Sequence, residues 1–146
     1  KPGFAVIART EALIQGRGIP VALERARAYT DAGCDGFLIH NKNQTPDEVR
    51  EFCDAYHAAG LSTPLVIVPT TYNQMTTQQM SDSGISVAIY ANYSVRAAVK
   101  VLEKLFRKMI DEGTLSAGNE MVVPMHTIFD LIAVDEMKEN QEKYGS

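Results

Sequence analysis

The chain has 146 residues, of which 45% are hydrophobic and 22% charged, and its formal net charge is −4. That length suits one compact domain, and that composition is ordinary for a globular protein. The chain has neither a basic run nor an apolar stretch long enough to span a bilayer, which argues against nucleic acid or membrane partners and predicts a cytoplasmic protein.

The chain alternates short apolar runs with segments of helical periodicity. Each run has the length and composition of a strand that is buried on both faces. A long amphipathic helix over 94–112 and further helices over 125–145 follow the last run. The predicted strands lie near 4–8, 36–40, 64–68 and 85–90.

The stretch TPDEVREFCDAYHAAG, residues 45–60, has the clearest helix start. Thr45 is expected to cap the helix, Pro46 suits its first position, and Glu48 completes a capping box. Cys53 lies on the apolar stripe of this helix, so we predict a reduced thiol in the core, and a similar state for Cys34. Another short helix is expected to start at Thr76 or its neighbour.

Four strands that are each followed by a helix predict a parallel α/β fold. A closed (β/α)8 barrel needs about 250 residues, so this chain can supply only half of one. We therefore predict a single domain over 1–146 that forms the C-terminal half of a TIM-type barrel, with four βα units and C-terminal helices. An open flavodoxin-like sheet is the alternative, but the early phosphate-binding loop expected of that fold is not found in the sequence.

Polar residues follow every predicted strand. In parallel α/β folds the carboxyl ends of the strands form the binding edge, so these side chains are expected to share one mouth. A guanidinium, an imidazole, hydroxyls and an amide together suit a small anionic substrate. The four groups are Arg9-Thr10-Glu11, His40-Asn41-Lys42, Pro69-Thr70-Thr71 and Tyr90-Ala91-Asn92.

Each of these residues has a functional and a structural interpretation. Arg9 suits bidentate binding of a carboxylate or phosphoryl group, and His40 suits hydrogen bonding or protonation of an oxyanion. Thr70 and Asn92 are expected to orient that anion. Alternatively, Arg9 and Glu11 form a structural ion pair, His40 is a structural residue, Thr70 belongs to a turn and Asn92 caps a helix. By themselves these features indicate only an anion-binding α/β protein.

Four segments in order resemble one enzyme family over essentially the whole chain. They are IARTEALIQGRG, ALERARAYTDAGCDGFLIHNKNQTPDEV, PLVIVPTTY and VAIYANYSVRAAV, and their order and spacing are similar to those of the phosphoenolpyruvate mutase branch of the isocitrate lyase superfamily. The resemblance implies a Mg²⁺-dependent (β/α)8 barrel that interconverts phosphoenolpyruvate and phosphonopyruvate through a Mg-bound pyruvate enolate. Phosphonopyruvate hydrolase, or another isocitrate lyase-type C–C lyase, is the alternative.

The resemblance also implies roles for individual residues. Arg9 matches the family's arginine that holds the phosphoryl or phosphonyl group, and His40 matches the histidine beside that group, which makes both catalytic. Asn92 matches the asparagine at the end of the family's last strand and is then a substrate-binding residue. The strand-end argument, independently of the resemblance, makes Thr70 a substrate-binding residue as well and gives Glu11 the role of fixing the posture of Arg9. Tyr93 stands where the family commonly has a histidine, and the motif around it leaves mutase and hydrolase open.

The family's metal-binding carboxylates belong to the first four βα units, and nothing in this sequence resembles them. The Mg²⁺ ligands are therefore expected in an N-terminal half, and this chain alone is expected to be inactive. The resemblance further implies a homo-oligomer, a dimer or tetramer, with exchange of the last helix between subunits. A hypothesis of a different class is a catalytically inert half-barrel that self-associates through its open sheet edges.

Overall fold

The computed structural model describes residues 3–145, so expectations for the outermost residues lie outside it. The chain forms two compact units, the first ending at Ala91 and the second beginning at Asn92. A single domain over the whole chain stays a prediction. Among the described residues, no helix is long and apolar enough to cross a membrane.

The first unit is a four-stranded sheet whose strands follow one another in chain order. All three neighbouring pairs are parallel, and a helix follows each of the first three strands. The α/β class is therefore confirmed. The strands are β1 (Ile7–Thr10), β2 (Gly36–Ile39), β3 (Leu65–Ile67) and β4 (Ile85–Ala88), and the helices are α1 (Gly18–Asp31), α2 (Asp47–Ala58) and α3 (Thr77–Asp82).

The core lies on the face of the sheet that packs against the helices. Phe37 and Ile39 of β2 are fully buried there, in one cluster with Phe52 and Tyr56 of α2. The Phe37 ring stacks on Phe52 and Tyr56 with centroid distances of 6.0 and 6.3 Å. Burying each of these aromatic side chains contributes on the order of 2–3 kcal/mol to the free energy of unfolding. The strongest part of the core therefore lies directly behind β2.

The opposite face of the sheet carries the alternate residues of each strand. Ile7 and Arg9 of β1 lie on this face with Leu38 of β2, which is the register partner of Arg9. Gly36 leaves room there for the Ile7 side chain, because a Cβ on Gly36 would approach Ile7 Cδ1 to 2.7 Å. Arg9 therefore lies on the face of the sheet that the helices do not cover.

The strand bounds differ from the expected ones most at β1. The strand begins at Ile7 rather than Phe4, because its pairing with β2 runs from Ile7–Gly36 to Thr10–Ile39. Phe4 lies outside the ladder and is 71% exposed. Arg9 and Thr10 are consequently the last two residues inside the strand.

The expected capping box of α2 is wrong. The helix begins at Asp47, Pro46 occupies the cap position, and no side chain makes a cap hydrogen bond. Thr45 lies outside the helix. The Glu48 carboxylate that was expected to complete the box instead accepts hydrogen bonds from two asparagines of the preceding loop.

The short helix α3 has the start that its sequence predicts. Thr76 is its cap: the Thr76 hydroxyl accepts from the Gln79 backbone N–H, and the Gln79 side chain accepts in return from the Thr76 N–H. Both cysteines are free, as predicted, with Cys53 buried and Cys34 half-buried. Burial, with a smaller contribution from Asp54, raises the pKa of the Cys53 thiol to about 12.

The second unit begins with the long helix α4 (Tyr93–Glu112), close to its expected bounds. No residue of α4 is buried, although its apolar residues follow the expected helical stripe. Within the unit α4 packs against a 3-10 helix, Leu115–Met121, where Leu105 lies directly over Gly118. The remaining helices are α5 (Met125–Leu131) and α6 (Val134–Tyr144).

Candidate functional site

Arg9 lies at the carboxyl end of β1 with its side chain on the face away from the helices. About half of the side chain, 49%, is exposed. The next residue, Thr10, points the other way and is buried, and its hydroxyl accepts from the Ala12 N–H and from Arg25 of α1. These two bonds fix the turn after β1, and they fix the backbone that carries Arg9.

His40 directly follows β2, the neighbour of β1. Its Nδ1 lies 3.2 Å from Arg9 Nη2, and its side chain is 23% exposed. A guanidinium can only donate hydrogen bonds, so Nδ1 accepts in this contact. The neutral ring therefore carries its proton on Nε2, which leaves an N–H donor for a ligand.

Glu11 completes the cluster. Its Oε1 accepts from Arg9 Nε at 2.7 Å and lies 2.5 Å from Nη2, while its Oε2 lies 3.9 Å from His40 Nδ1. The carboxylate thus binds the guanidinium along one edge. Among residues 3–145 no partner contacts Arg9 Nη1, whose two N–H groups are left as donors for an incoming anion.

The surroundings of His40 favour its neutral form. Burial contributes most to lowering the pKa of the imidazole from 6.5, and the Arg9 charge lowers it further. Glu11 acts in the opposite direction, through its negative charge. At neutral pH the cluster therefore presents one cation, one carboxylate and one neutral N–H donor.

The other two predicted substrate-binding residues are Thr70 in the first unit and Asn92 in the second. Thr70 lies after β3, half-buried, with its backbone N–H donating to the Val68 carbonyl. Asn92 belongs to the second unit, where it precedes α4 in a left-handed conformation (φ 55°) without a side-chain cap hydrogen bond. Their roles as substrate ligands stay predictions.

Asn41 and Glu48 are the residues of this region that sequence reasoning missed. Asn41 follows His40 and is only 1% exposed, and its side-chain amide donates to Glu48 Oε2 at 2.6 Å. The available signal was an asparagine directly after a strand-end histidine, seven residues before an acidic helix start. The capping-box interpretation expected Glu48 to accept from a backbone N–H at the helix start, so the bond from Asn41 was not predicted.

A magnesium site was expected outside this sequence. Within the range that the structure describes, no three His, Cys, Asp or Glu side chains come together in a way that could hold a metal ion. We assign no metal ligand to these residues.

Comparison with known proteins gives a consistent picture. The family model described as phosphoenolpyruvate phosphomutase matches residues 1–110. The phosphoenolpyruvate phosphomutase of Streptomyces viridochromogenes is 34% identical over 143 residues, which are 98% of this chain and 45% of that protein. The phosphonopyruvate hydrolase of a Variovorax species is 34% identical over 142 residues, which are 97% of this chain and 48% of that protein.

Solved structures agree with the sequence comparison. The crystal structure of a phosphoenolpyruvate phosphomutase from Streptomyces platensis subsp. rosaceus superposes with a TM-score of 0.91 at 36% identity, covering 100% of this chain and 50% of that one. A phosphonopyruvate hydrolase solved with oxalate and Mg²⁺ gives a TM-score of 0.89 at 34% identity, covering 98% of this chain and 50% of that one. The chain spans about half the length of the relatives it matches, which is consistent with half of a barrel.

Proposed function

The chain belongs to the phosphoenolpyruvate phosphomutase family, in the isocitrate lyase superfamily, and from that premise we propose that it is the C-terminal part of an enzyme that interconverts phosphoenolpyruvate and phosphonopyruvate. The observation that supports this most is the contact between Arg9 and His40 at the carboxyl ends of two neighbouring parallel strands. Such strand ends are where α/β barrels bind their substrates.

In the proposed reaction Arg9 and His40 hold the transferring group. The P–O bond of phosphoenolpyruvate breaks and a P–C bond forms to the methylene carbon of the pyruvate enolate, so the atoms and charge of the substrate are conserved. In a loose transfer the negative charge lies on the three peripheral oxygens of the phosphoryl group. In this proposal Arg9 Nη1 and His40 Nε2 donate to those oxygens, and Glu11 holds the guanidinium from its other edge.

We place the Mg²⁺ of the complete enzyme on residues outside this sequence. The hydrolase relative solved with oxalate and Mg²⁺ supports a metal in the family. The substrate would then be a small anion held between this half and another. Arg9 and His40 would supply the phosphoryl-binding side.

Phosphonopyruvate hydrolase is the second candidate, because the Variovorax hydrolase is as similar to this chain as the Streptomyces viridochromogenes mutase is. The deciding experiment incubates the full-length protein with phosphonopyruvate and Mg²⁺ and follows phosphorus by ³¹P NMR. We expect phosphoenolpyruvate to form without free phosphate. Release of phosphate and pyruvate would replace the mutase with the hydrolase, and unchanged phosphonopyruvate would contradict both.

Assembly and location are further parts of the proposal. Exposed apolar residues along α4, among them Val99 and Phe106, support a homo-oligomer in which the C-terminal helices contact a second subunit. The two free thiols support a reducing compartment such as the cytoplasm.

A further inference from the structure

The peptide that follows His40 is anchored at several points. Asn41 accepts at its side-chain Oδ1 from the Asn43 backbone N–H at 2.8 Å, and its amide nitrogen donates to Glu48 Oε2 at 2.6 Å. The Asn41 backbone carbonyl accepts from the Thr71 hydroxyl at 3.3 Å. Since Asn41 is 1% exposed, losing these partners would leave polar groups buried without hydrogen bonds, at a cost of about 1–3 kcal/mol each.

Glu48 is the centre of this arrangement. Its Oε2 accepts from Asn41 and also from the Asn43 side-chain amide at 2.9 Å, so one carboxylate oxygen ties two loop residues to the first turn of α2. A carboxylate in the first turn of a helix is itself favoured by the helix dipole. The loop after His40 is therefore fastened to a helix whose other side is buried in the core.

The Thr71 bond connects this loop to the next strand end. Thr71 follows Thr70, the predicted substrate-binding residue, so the bond to the Asn41 carbonyl joins the residue after His40 to the residue after Thr70. Two neighbouring strand ends of the candidate site are thus held together behind the side chains that would face a ligand.

The contact between Arg9 and His40 depends on where the backbone after His40 holds the imidazole ring. The Arg9–His40 contact is 3.2 Å long, and hydrogen bonds of this kind weaken quickly with distance and angle. A shift of the His40 peptide by about 1 Å would break it, and small misplacements of this size lower catalytic rates strongly.

We propose that Asn41 and Glu48 are positioning residues, whose hydrogen bonds hold the peptide after His40 and thereby keep the imidazole ring in contact with Arg9. That this contact serves substrate binding rests on the proposed function. That Asn41 and Glu48 maintain the contact is a property of this chain by itself. The charged groups beside the ring are Arg9 and Glu11, and both stay unchanged in the test below.

The test measures the titration of His40 by NMR in the full-length protein labelled at histidine, with the His40 signal assigned by its loss in His40→Asn. We expect Glu48→Ala to raise the pKa of His40, because the ring becomes more exposed and moves away from Arg9. Glu48→Gln retains an oxygen that accepts from both asparagines, so it should leave the titration near that of the unchanged protein.

Asp47→Ala is the matched control, since Asp47 is the other acidic residue in the first turn of α2 and none of the hydrogen bonds described above uses its side chain. It removes the same charge from the helix start and should leave His40 unchanged. A folded Glu48→Ala protein in which His40 titrates as before would overturn the proposal.

If Glu48→Ala does not fold, Asn41→Ala decides instead. This substitution removes the donor to Glu48 and the acceptor for the Asn43 backbone N–H, and it keeps Glu48 and its bond to the Asn43 side chain. A rise of the His40 pKa would support the proposal, and no rise would overturn it. Binding of inorganic phosphate, measured on the same samples, is expected to weaken about tenfold in Glu48→Ala. A parent protein that binds no phosphate would count against the proposed function alone, because the titration does not depend on it.

Discussion

Arg9 has both a structural and a functional interpretation, since it is a strand-end arginine with a glutamate two residues later. The structure contains the ion pair, but the two side chains are 49% and 38% exposed, and such a pair contributes at most about 1 kcal/mol to stability. The same guanidinium also contacts His40 and keeps Nη1 unpaired among the described residues. This arrangement supports the proposed anion-binding role of Arg9, which stays a prediction.

Replacing Arg9 separates its charge from its geometry. Arg9→Gln removes a neighbouring cation, so the pKa of His40 should rise, and phosphate affinity should fall about 10- to 100-fold because hydrogen bonds to charged groups contribute roughly 1.5–3 kcal/mol. Arg9→Lys keeps the charge and loses the bidentate fork, so affinity should fall while the His40 pKa stays low. Calorimetry and histidine NMR measure the two effects. Unchanged phosphate affinity in both variants would exclude Arg9 as the anion ligand.

His40 gives the free energy of unfolding a pH dependence with a defined sign. Because its folded-state pKa lies below 6.5, the unfolded chain binds this proton more readily than the folded chain. The contribution of His40 to the free energy of unfolding is therefore fully present above pH 6.5, and it is lost as the pH falls through the folded-state pKa. Glu11→Gln removes a group that raises the pKa, so the loss should extend to lower pH.

Urea unfolding of the full-length protein between pH 7.5 and pH 5 measures this dependence. His40→Asn is the control and should abolish the contribution. If the pKa of His40 rises rather than falls in Glu11→Gln, the opposite effects assigned to Arg9 and Glu11 on that pKa are contradicted.

At the scale of single elements, the start of α3 was predicted correctly, whereas the capping box predicted for α2 was not. Thr76 and Gln79 are three residues apart and have no stronger partner nearby, so they bond each other's backbone. Glu48 has the same spacing from Thr45, but Asn41 and Asn43 compete for its carboxylate. Local sequence patterns predict local bonds only where no tertiary or loop partner offers a better one.

The helix-ending glycines give a prediction at this scale. Gly60 and Gly84 both have positive φ, 73° and 71°, so alanine at either site carries a strain of about 1–2 kcal/mol. A Cβ on Gly60 meets nothing within 4 Å, whereas one on Gly84 would collide with the His57 ring. Gly84→Ala should therefore destabilise the protein more than Gly60→Ala, as measured by urea unfolding.

The double variant His57→Ala/Gly84→Ala provides the control for that comparison. Removing the His57 ring should recover the excess cost of Gly84→Ala and leave only the strain shared with Gly60→Ala. Equal destabilisation by the two single substitutions would show that the His57 ring turns away from Gly84 without cost.

At the scale of the whole molecule, the chain corresponds to about half of its relatives. Its sheet has β1 and β4 at its edges, and apolar side chains near both are exposed, among them Val6 and Ile7 at one and Ile89 at the other. Open edges and exposed apolar residues favour association with further strands. In the proposed enzyme those strands come from the other half of the barrel.

We therefore expect the 146-residue chain alone to leave phosphoenolpyruvate and phosphonopyruvate unchanged in the presence of Mg²⁺, and to self-associate as its concentration rises. Enzymatic assay and sedimentation velocity measure the two properties, with the full-length protein as the active control. Turnover by the isolated chain would contradict the assignment of the metal ligands to the other half. A strictly monomeric isolated chain would contradict the expected role of the sheet edges.

The sequence by itself determined the order of strands and helices, the α/β class and the family, because these depend on hydrophobic periodicity and on motifs read along the chain. It also placed Arg9 and His40 at neighbouring strand ends, since parallel strands in chain order bring their carboxyl ends together. Only the tertiary structure decided that Arg9 contacts His40 Nδ1, and that Glu48 bonds Asn41 rather than the helix start. Those contacts depend on register, side-chain direction and competition between partners, which no linear pattern contains.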